Sequence, residues 1–424
     1  MSDRLIYIVR SWPRLSQTFI VNEVLALERR GLTLAIFSLV RAREDIVQPQ
    51  VRDVRAPVRY LEDDLGQPWR QRLRAHQQVF KAAPARYVSA GLFVLTHPSL
   101  AAGYGECSAL RCFAHAVALV GRMEEIRSAG DSVVDVHAHF AHDPALVGML
   151  VARLSGERFT FTGHARDLLH IPARGLRARA ARASAVVTCC QANADYINAV
   201  LPAETAPPVL VVHHGVDLER FRPRPAGKAT STPVLLSVGR LVEKKGFADL
   251  LHALAIAAAD GSEFRCRILG DGPLHDELSR MIEHLGLADR VELAGARSND
   301  EVVTALGRAD VFALTPLVAA DGDRDGIPNV LVEAMASGLP VVTTSAGGIP
   351  ELVRHQVNGL MCPPGDVAML ATSISALLAD PATRARLGEA GRRTVENDYD
   401  IDTAARDLER VLVPRVHHQV EGVS

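Results

Sequence analysis

The chain has 424 residues, 48% of them hydrophobic and 23% charged, which is enough for two or three domains that each bury a core. A formal net charge of −2 gives no overall attraction to nucleic acid, and six cysteines without a C-x-x-C pair point to reduced thiols in the cytoplasm. No apolar run approaches the roughly 18 residues that span a bilayer, and a strand begins at Leu5, leaving no room for a signal peptide.

Leu5 to Val9 reads as a buried strand. SWPRLSQT is a loop, Phe19 to Arg30 an amphipathic helix ended by Gly31, and LAIFSL the next strand. This βαβ opening implies a parallel sheet with a ligand crevice at the carboxyl ends of its strands, so the loop from Arg10 to Gln17 borders a site. It lacks G-x-G-x-x-G, which argues against a dinucleotide cradle and against an NAD-dependent oxidoreductase.

Glu62 to Arg127 is less regular, with helical patches and the basic residues Arg70, Arg72, Arg74, Lys81 and Arg86. Such a run is commonly a solvated helix face. Interleaved Trp69, Phe80, Leu92, Phe93 and Val94 suggest instead a surface for anionic lipid or a diphosphate-linked acceptor, extended by Arg174, Arg177, Arg179 and Arg182.

VVDVHAHFAHD is a strand entering a His-rich loop. His137, His139, His142 and Asp143 have the look of metal ligands, which would suit a metal hydrolase, but no second ligand cluster accompanies them. RFTFTGHARDL is a strand ending at Gly163, His164 and Asp167, and a His at that end is placed for function. SAVVTCCQANADYI and VLVVHHGVDLERFRP carry the chain out to Pro223–Pro233, a Pro/Ser/Thr-rich stretch that marks a domain boundary.

The second half restarts as strand, loop and helix in VLLSVGRLVEKKGFADLL. Gly239 and Arg240 close the strand and Lys245 begins the helix, so both cations reach a diphosphate in the crevice. FRCRILGDG, RVELAGA and ADVFALTP supply three more strands. The stretch from Asp323 to Glu351 then runs loop, helix, strand and Gly-rich loop. Asp325 lies in the loop and Glu333 in the helix. The helix opens at Asn329 and Val330 with free N–H groups and partial positive charge, which suit a phosphate. Carboxylates beside it suit neighbouring sugar hydroxyls. Diphosphate and sugar together describe a nucleotide sugar.

This stretch resembles the C-terminal signature of retaining GT-B glycosyltransferases of family 4: an E-x(7)-E pair, EAMA-x-G-x-PVV, then GG-x-x-E. Asp325 stands where the first Glu of the pair is usual. The form GDRDGIPNVLVEAMA is most similar to the bacterial exopolysaccharide branch of the colanic-acid type. The opening Pro13, Ser16, Thr18, Phe19 and Glu23, and the segment GRL-x-x-KKG, are similar to the same family, whereas His213–His214 replaces its usual Pro–Asn.

The resemblance implies a GT-B fold of two Rossmann-like α/β domains across a cleft. An acceptor-side domain would span 1–205, a linker 206–232, a donor domain 233–398, and 399–424 would be a helix crossing back, with a polar tail. It implies a nucleotide-sugar donor with Arg240 and Lys245 on the diphosphate and Glu333 on the ribose. Asp325, with the backbone at Gly326 and Ile327, would meet the transferred sugar, His164 would reach it from the other domain, and Ser16 would face the donor phosphates or the acceptor. A lipid-linked or small-molecule acceptor, peripheral contact at the inner membrane face, no nucleic acid and no metal or other cofactor complete the expectation. The D-x-D at Asp321–Asp323 reads as loop rather than metal clamp. A sugar-nucleotide epimerase of the same architecture, glycosylation of a small natural product, and a non-catalytic carbohydrate-binding protein are the competing readings.

Overall fold

The computed structural model describes residues 2–14, 17–43, 47–101, 107–223 and 232–413. Strands β1 (Asp3–Trp12), β2 (Thr33–Arg41), β3 (Val58–Tyr60), β4 (Ser132–His139), β5 (Phe159–Gly163), β6 (Ala185–Thr188) and β7 (Val209–Val211) form one sheet in the order β3-β2-β1-β4-β5-β6-β7. Strands β8 (Val234–Val238), β9 (Arg265–Leu269), β10 (Val291–Leu293), β11 (Val311–Ala313), β12 (Val341–Thr344) and β13 (Leu360–Cys362) form a second, in the order β10-β9-β8-β11-β12-β13. The pairings are parallel in both. Helices cover both faces, and β1 accordingly buries Leu5 to Val9 without interruption, while β4 and β5 bury Asp135, His137, His139, Thr160 and Thr162 among their apolar residues.

Two Rossmann-like α/β domains result. In each the strand order reverses once, between β1 and β4 and between β8 and β11, and a crevice opens at the carboxyl ends there. The loops that leave β8 and β11 are the GRLVEKKG segment and the stretch ending at Pro328. The most informative motifs therefore sit at the switch point.

The apolar side chains divide into one core for the second domain and two for the first, one on each sheet face. The helix Ile401–Leu412 buries Ile401, Ala405, Leu408 and Leu412 in the first domain, against Tyr7, Ile20 and Leu27. Each of its leucines is worth about 2 kcal/mol once buried. Arg158 donates to the Val411 carbonyl at 2.7 Å and Arg30 pairs with Glu409 at 2.5 Å, which fixes the helix end on.

Three expectations change. Part of 206–232 is structured: β7 pairs with β6, while Val216 and Phe221 already lie in the second core, which narrows the crossing to residues 212–215. Residues 224–231 and the tail from 414 lie outside the described residues. The irregular-looking segment after Glu62 is regular helix, at Leu61–Gly66, Trp69–Ala82, Pro84–Thr96 and Ala109–Ser128. Arg179 belongs to no surface patch. It is buried, donating to the carbonyls of His142, Gly175 and Leu100, while Arg177 and Arg182 donate to those of Val200 and Ala152.

Candidate active site

The loop after β8 and the loop before the helix Asn329–Ala336 meet through charge. Lys245 Nζ lies 2.5 Å from Asp325 Oδ2, and Lys244 Nζ lies 3.1 Å from both Asp325 Oδ1 and Asp323 Oδ1. Burial pushes the Asp325 carboxyl up, but the two lysines outweigh it and hold it below its ordinary range. Burial lowers Lys244, and Asp325 with Asp323 raises it further than burial lowers it. The Lys245 stem passes beside Gly239. Arg240 lies two residues beyond β8, with an exposed side chain that has no hydrogen-bond or ion-pair partner among the described residues.

The Gly-rich loop after β12 supports Asp325 from behind. Gly347 has φ +60°, and a Cβ there would lie 2.0 Å from the Asp325 carbonyl oxygen, so a side chain would drive the two loops apart. Gly348 N–H donates to the Gly326 carbonyl at 3.0 Å, and Ile327 packs against Gly348. Glu351, the acid of GG-x-x-E, reaches across the crevice instead of into it. It accepts from the backbone of Gln191 and Ala192 at 2.7 and 2.9 Å, capping the helix Gln191–Val200 of the other domain.

Glu333 lies one turn inside the helix and is 7% exposed. It lines a narrow pocket with Thr18, Phe19, Asn22, His214 and Asn329, so both domains build its walls. Burial lifts its carboxyl to about 7, with Arg220 opposing. Val330 turns inward onto the second core.

His164 sits at the end of β5, where its backbone carbonyl faces Gly326. Its ring has two histidine neighbours: Nε2 lies 3.4 Å from His139 Nδ1, and Nδ1 lies 3.1 Å from His214 Nε2. His139 Nε2 continues to Glu23 Oε1 at 2.9 Å, which also accepts from the Tyr7 hydroxyl at 3.0 Å. His214 Nδ1 continues to Asn329 Oδ1 at 3.0 Å, at the first residue of the donor-side helix. Phe19 stacks on His214 with centroids 4.3 Å apart and planes 9° off parallel. Burial lowers His164 well below its ordinary range and His214 to about 4, so both rings are neutral at pH 7.

The structure thus joins Lys245 to Asp325, Gly326 to His164, and Asn329 and Glu333 to His214. Arg240 stands apart beyond its strand end, and Ser16 lies outside the described residues. Tyr7, Glu23, Lys244 and His214 are the residues that sequence reasoning left out of the site. His214 had a signal, since His213–His214 departs from Pro–Asn.

Among the described residues, metal-ligand atoms come within 4.8 Å of one another in two groups, Glu23–His137–His139 and His164–Cys189–His214. Their nitrogens are engaged in hydrogen bonds, His137 with the hydroxyls of Thr160 and Thr162 at 2.8 and 3.0 Å and the others along the histidine series. His142 Nδ1 accepts from the backbone of Asp143 at 2.7 Å. In the D-x-D, Asp323 faces Lys244 and Arg166 from opposite domains, and Asp321 lies 3.5 Å from His170.

Residues 219–394 match the family model described as glycosyl transferases group 1. WcaL of Escherichia coli strain K12, a glycosyltransferase named for colanic acid biosynthesis, is 41% identical over 206 residues, 48% of this chain and 50% of that protein. The chain therefore spans about half the length of that relative. A GDP-mannose-dependent phosphatidylinositol monomannoside mannosyltransferase of Mycolicibacterium smegmatis is 30% identical over 286 residues, 64% of this chain and 74% of that protein. Among solved structures, Anabaena HepE in complex with UDP and glucose superposes with a TM-score of 0.69 at 19% identity, covering 96% of this chain and 99% of that one. That likeness concerns the fold.

Proposed function

The chain belongs to the group 1 glycosyl transferases, and we propose that it moves a sugar from a nucleoside-diphosphate sugar to a hydroxyl acceptor, with retention at the anomeric carbon, in exopolysaccharide assembly. The observation that carries this reading is the Lys245–Asp325 pair at 2.5 Å, set between a helix N-terminus and the crevice. A diphosphate that binds at the helix N-terminus competes for the Lys245 ammonium. Asp325 then exchanges an ammonium partner for sugar hydroxyls. Glu333, in its narrow pocket, is the acceptor for the ribose hydroxyls. Aspartate in place of glutamate shortens the arm to the sugar by one methylene, so the sugar sits closer to the loop.

Arg240, Lys245 and the helix N-terminus neutralise the diphosphate as its bond to the sugar breaks. The departing diphosphate takes the proton of the acceptor hydroxyl on the same face, which gives retention without a separate general base. Lysine and arginine do the neutralising, so no divalent metal is required. His164 meets the sugar from the first domain and is oriented by His139 and His214. The acceptor side is the first domain, and a lipid-linked acceptor fits the similarity to the Mycolicibacterium smegmatis enzyme, which is named for transfer to a phosphatidylinositol monomannoside.

A panel of nucleotide-sugar donors offered with and without acceptor tests the reading. Transfer should require an acceptor hydroxyl, and proton NMR of the first-formed product should show the donor's anomeric configuration. Turnover of the donor to a stereoisomer without acceptor would identify an epimerase, and an inverted product would overturn the same-face route.

A further inference from the structure

We propose that the helical hairpin Trp69–Thr96 docks this protein on a bilayer surface of anionic phospholipid. The inference goes beyond sugar transfer and stands on the surface itself. Its two helices, Trp69–Ala82 and Pro84–Thr96, bury only Val79, Ala90 and Val94. The side chains a soluble helix would hide are turned outward. Trp69, Leu73 and Phe80 lie at positions i, i+4 and i+11, and Val88, Leu92 and Leu95 at i, i+4 and i+7, so each set forms one stripe. All six are exposed, Trp69 to 63% and Leu95 to 65%. An uncovered apolar stripe of this length marks an interaction surface.

Charge selects the occupant. From Gln67 to Gly105 there is no Asp or Glu, but there are Arg70, Arg72, Arg74, Lys81 and Arg86, in a chain whose net charge is −2. All five are exposed. A second copy presents the same five cations, and the acids beside them, Asp64, Glu124 and Glu125, already pair with Arg122 and Arg127, so like charge opposes a two-fold contact. A surface with apolar depth and negative headgroups satisfies both the stripes and the cations, because the side chains enter the acyl boundary while the arginines stay among phosphates. No helix among the described residues is long and apolar enough to cross a membrane, so the contact is with the surface.

The hairpin is also aimed. Arg86 donates to the Ser155 carbonyl at 2.6 Å, at the far end of the helix Asp143–Ser155. The Leu100 carbonyl accepts from Arg179 at 3.0 Å, and Arg179 also reaches the His142 carbonyl, at the end of that helix next to the β4 terminus. The stripe from Val88 to Leu95 therefore climbs the flank of the first domain towards the crevice. A bilayer on that flank holds its headgroups at the level of the acceptor side.

The chain has two tryptophans, of which Trp12 is buried, so a change in emission on binding reports Trp69. With the full chain, vesicles containing phosphatidylglycerol should co-sediment the protein and shift its emission to the blue, roughly tenfold more tightly than phosphatidylcholine vesicles. Trp69→Phe should abolish the shift and keep most of the sedimentation. Leu92→Glu with Leu95→Glu, and separately Arg70→Glu with Arg72→Glu and Arg74→Glu, should each weaken binding by roughly tenfold or more. Thermal unfolding and nucleotide-sugar calorimetry should be unchanged in both, which separates this surface from the crevice. Equal binding to neutral vesicles, no binding to either, or binding insensitive to these substitutions would overturn the proposal. A lipid-free dimer in sedimentation velocity that hides Trp69 would assign the face to a second copy, and binding only to an acidic protein would assign it to that partner.

Discussion

His214 Nε2 lies 3.1 Å from His164 Nδ1, and through this contact the crossing that leaves the first domain touches the residue expected to meet the sugar. Four contacts run in series from Glu23 through His139, His164 and His214 to Asn329. His164 and His214 are neutral, so each donates to one neighbour and accepts from the other; with Asn329 Oδ1 accepting from His214, the donated protons run from His139 towards Asn329.

His214→Phe tests this order. Phenylalanine keeps the stack on Phe19 but removes both nitrogens and leaves His164 Nδ1 unpaired. We expect kcat to fall roughly 10- to 100-fold, as for loss of one buried, oriented hydrogen bond, with donor affinity within a factor of about three. Steady-state kinetics beside calorimetry decide it. An unchanged kcat would mean that His164 is positioned without His214.

Arg240 is the cleanest binding probe, because its side chain has no partner to lose among the described residues. Arg240→Ala should weaken nucleotide-sugar binding by roughly 10- to 100-fold, the value of one or two charge-assisted bonds to phosphate. Stability should move by less than about 0.5 kcal/mol. Donor binding that is untouched in calorimetry would remove Arg240 from the diphosphate.

Glu333 gives the donor site a pH signature. Its carboxyl moves from an ordinary 4.5 to about 7 in the fold, so the folded chain resists its ionisation. Below pH 4.5 the group is protonated in both states and costs nothing; between 4.5 and 7 the cost grows, and above 7 it is complete, on the order of 3 kcal/mol. Glu333→Gln should therefore raise the melting temperature more at pH 8 than at pH 5. The ionised carboxylate accepts ribose hydroxyls best, so wild-type donor affinity should rise through pH 7 and the variant's should stay flat. A flat wild-type profile would contradict the ribose role.

Metal removal separates the two uses of the acidic loop. Asp323 already faces Lys244 and Arg166, and Asp325 faces Lys244 and Lys245. Transfer should survive EDTA with at most a twofold change, roughly the scatter of such assays. Loss of activity that a divalent cation restores would return the D-x-D or the histidine groups to consideration.

The Asp325–Glu333 stretch was legible because loop, helix and strand follow one another within thirty residues, where periodicity and Gly/Pro punctuation act locally. The alternation of strands and helices likewise announced two parallel sheets. The histidine series was hidden because Tyr7, Glu23, His139, His164, His214 and Asn329 come from six separate segments, and sheet order decides which strand ends meet. The hairpin looked irregular for a different reason. Its apolar residues are split between a thin buried face and an exposed one, so no single stripe dominates the pattern. Glu351 lay inside a recognised motif, yet the helix it caps begins 160 residues away in sequence, which local pattern cannot reach.

The two passages of the chain between the domains are bonded to each other. Val216 N–H donates to the Tyr399 carbonyl at 2.8 Å and Ile401 N–H to the Val216 carbonyl at 3.1 Å, while a Cβ on Gly215 would lie 2.3 Å from Ile401 Cα. A body hung from two adjoining, mutually fastened straps can swing but cannot slide. Opening and closing are thereby reduced to rotation about a line near Gly215 and Asp400, since shear would tear main-chain bonds. His214 is one residue from that line, so a rotation about it would displace the imidazole series less than the two walls of the crevice.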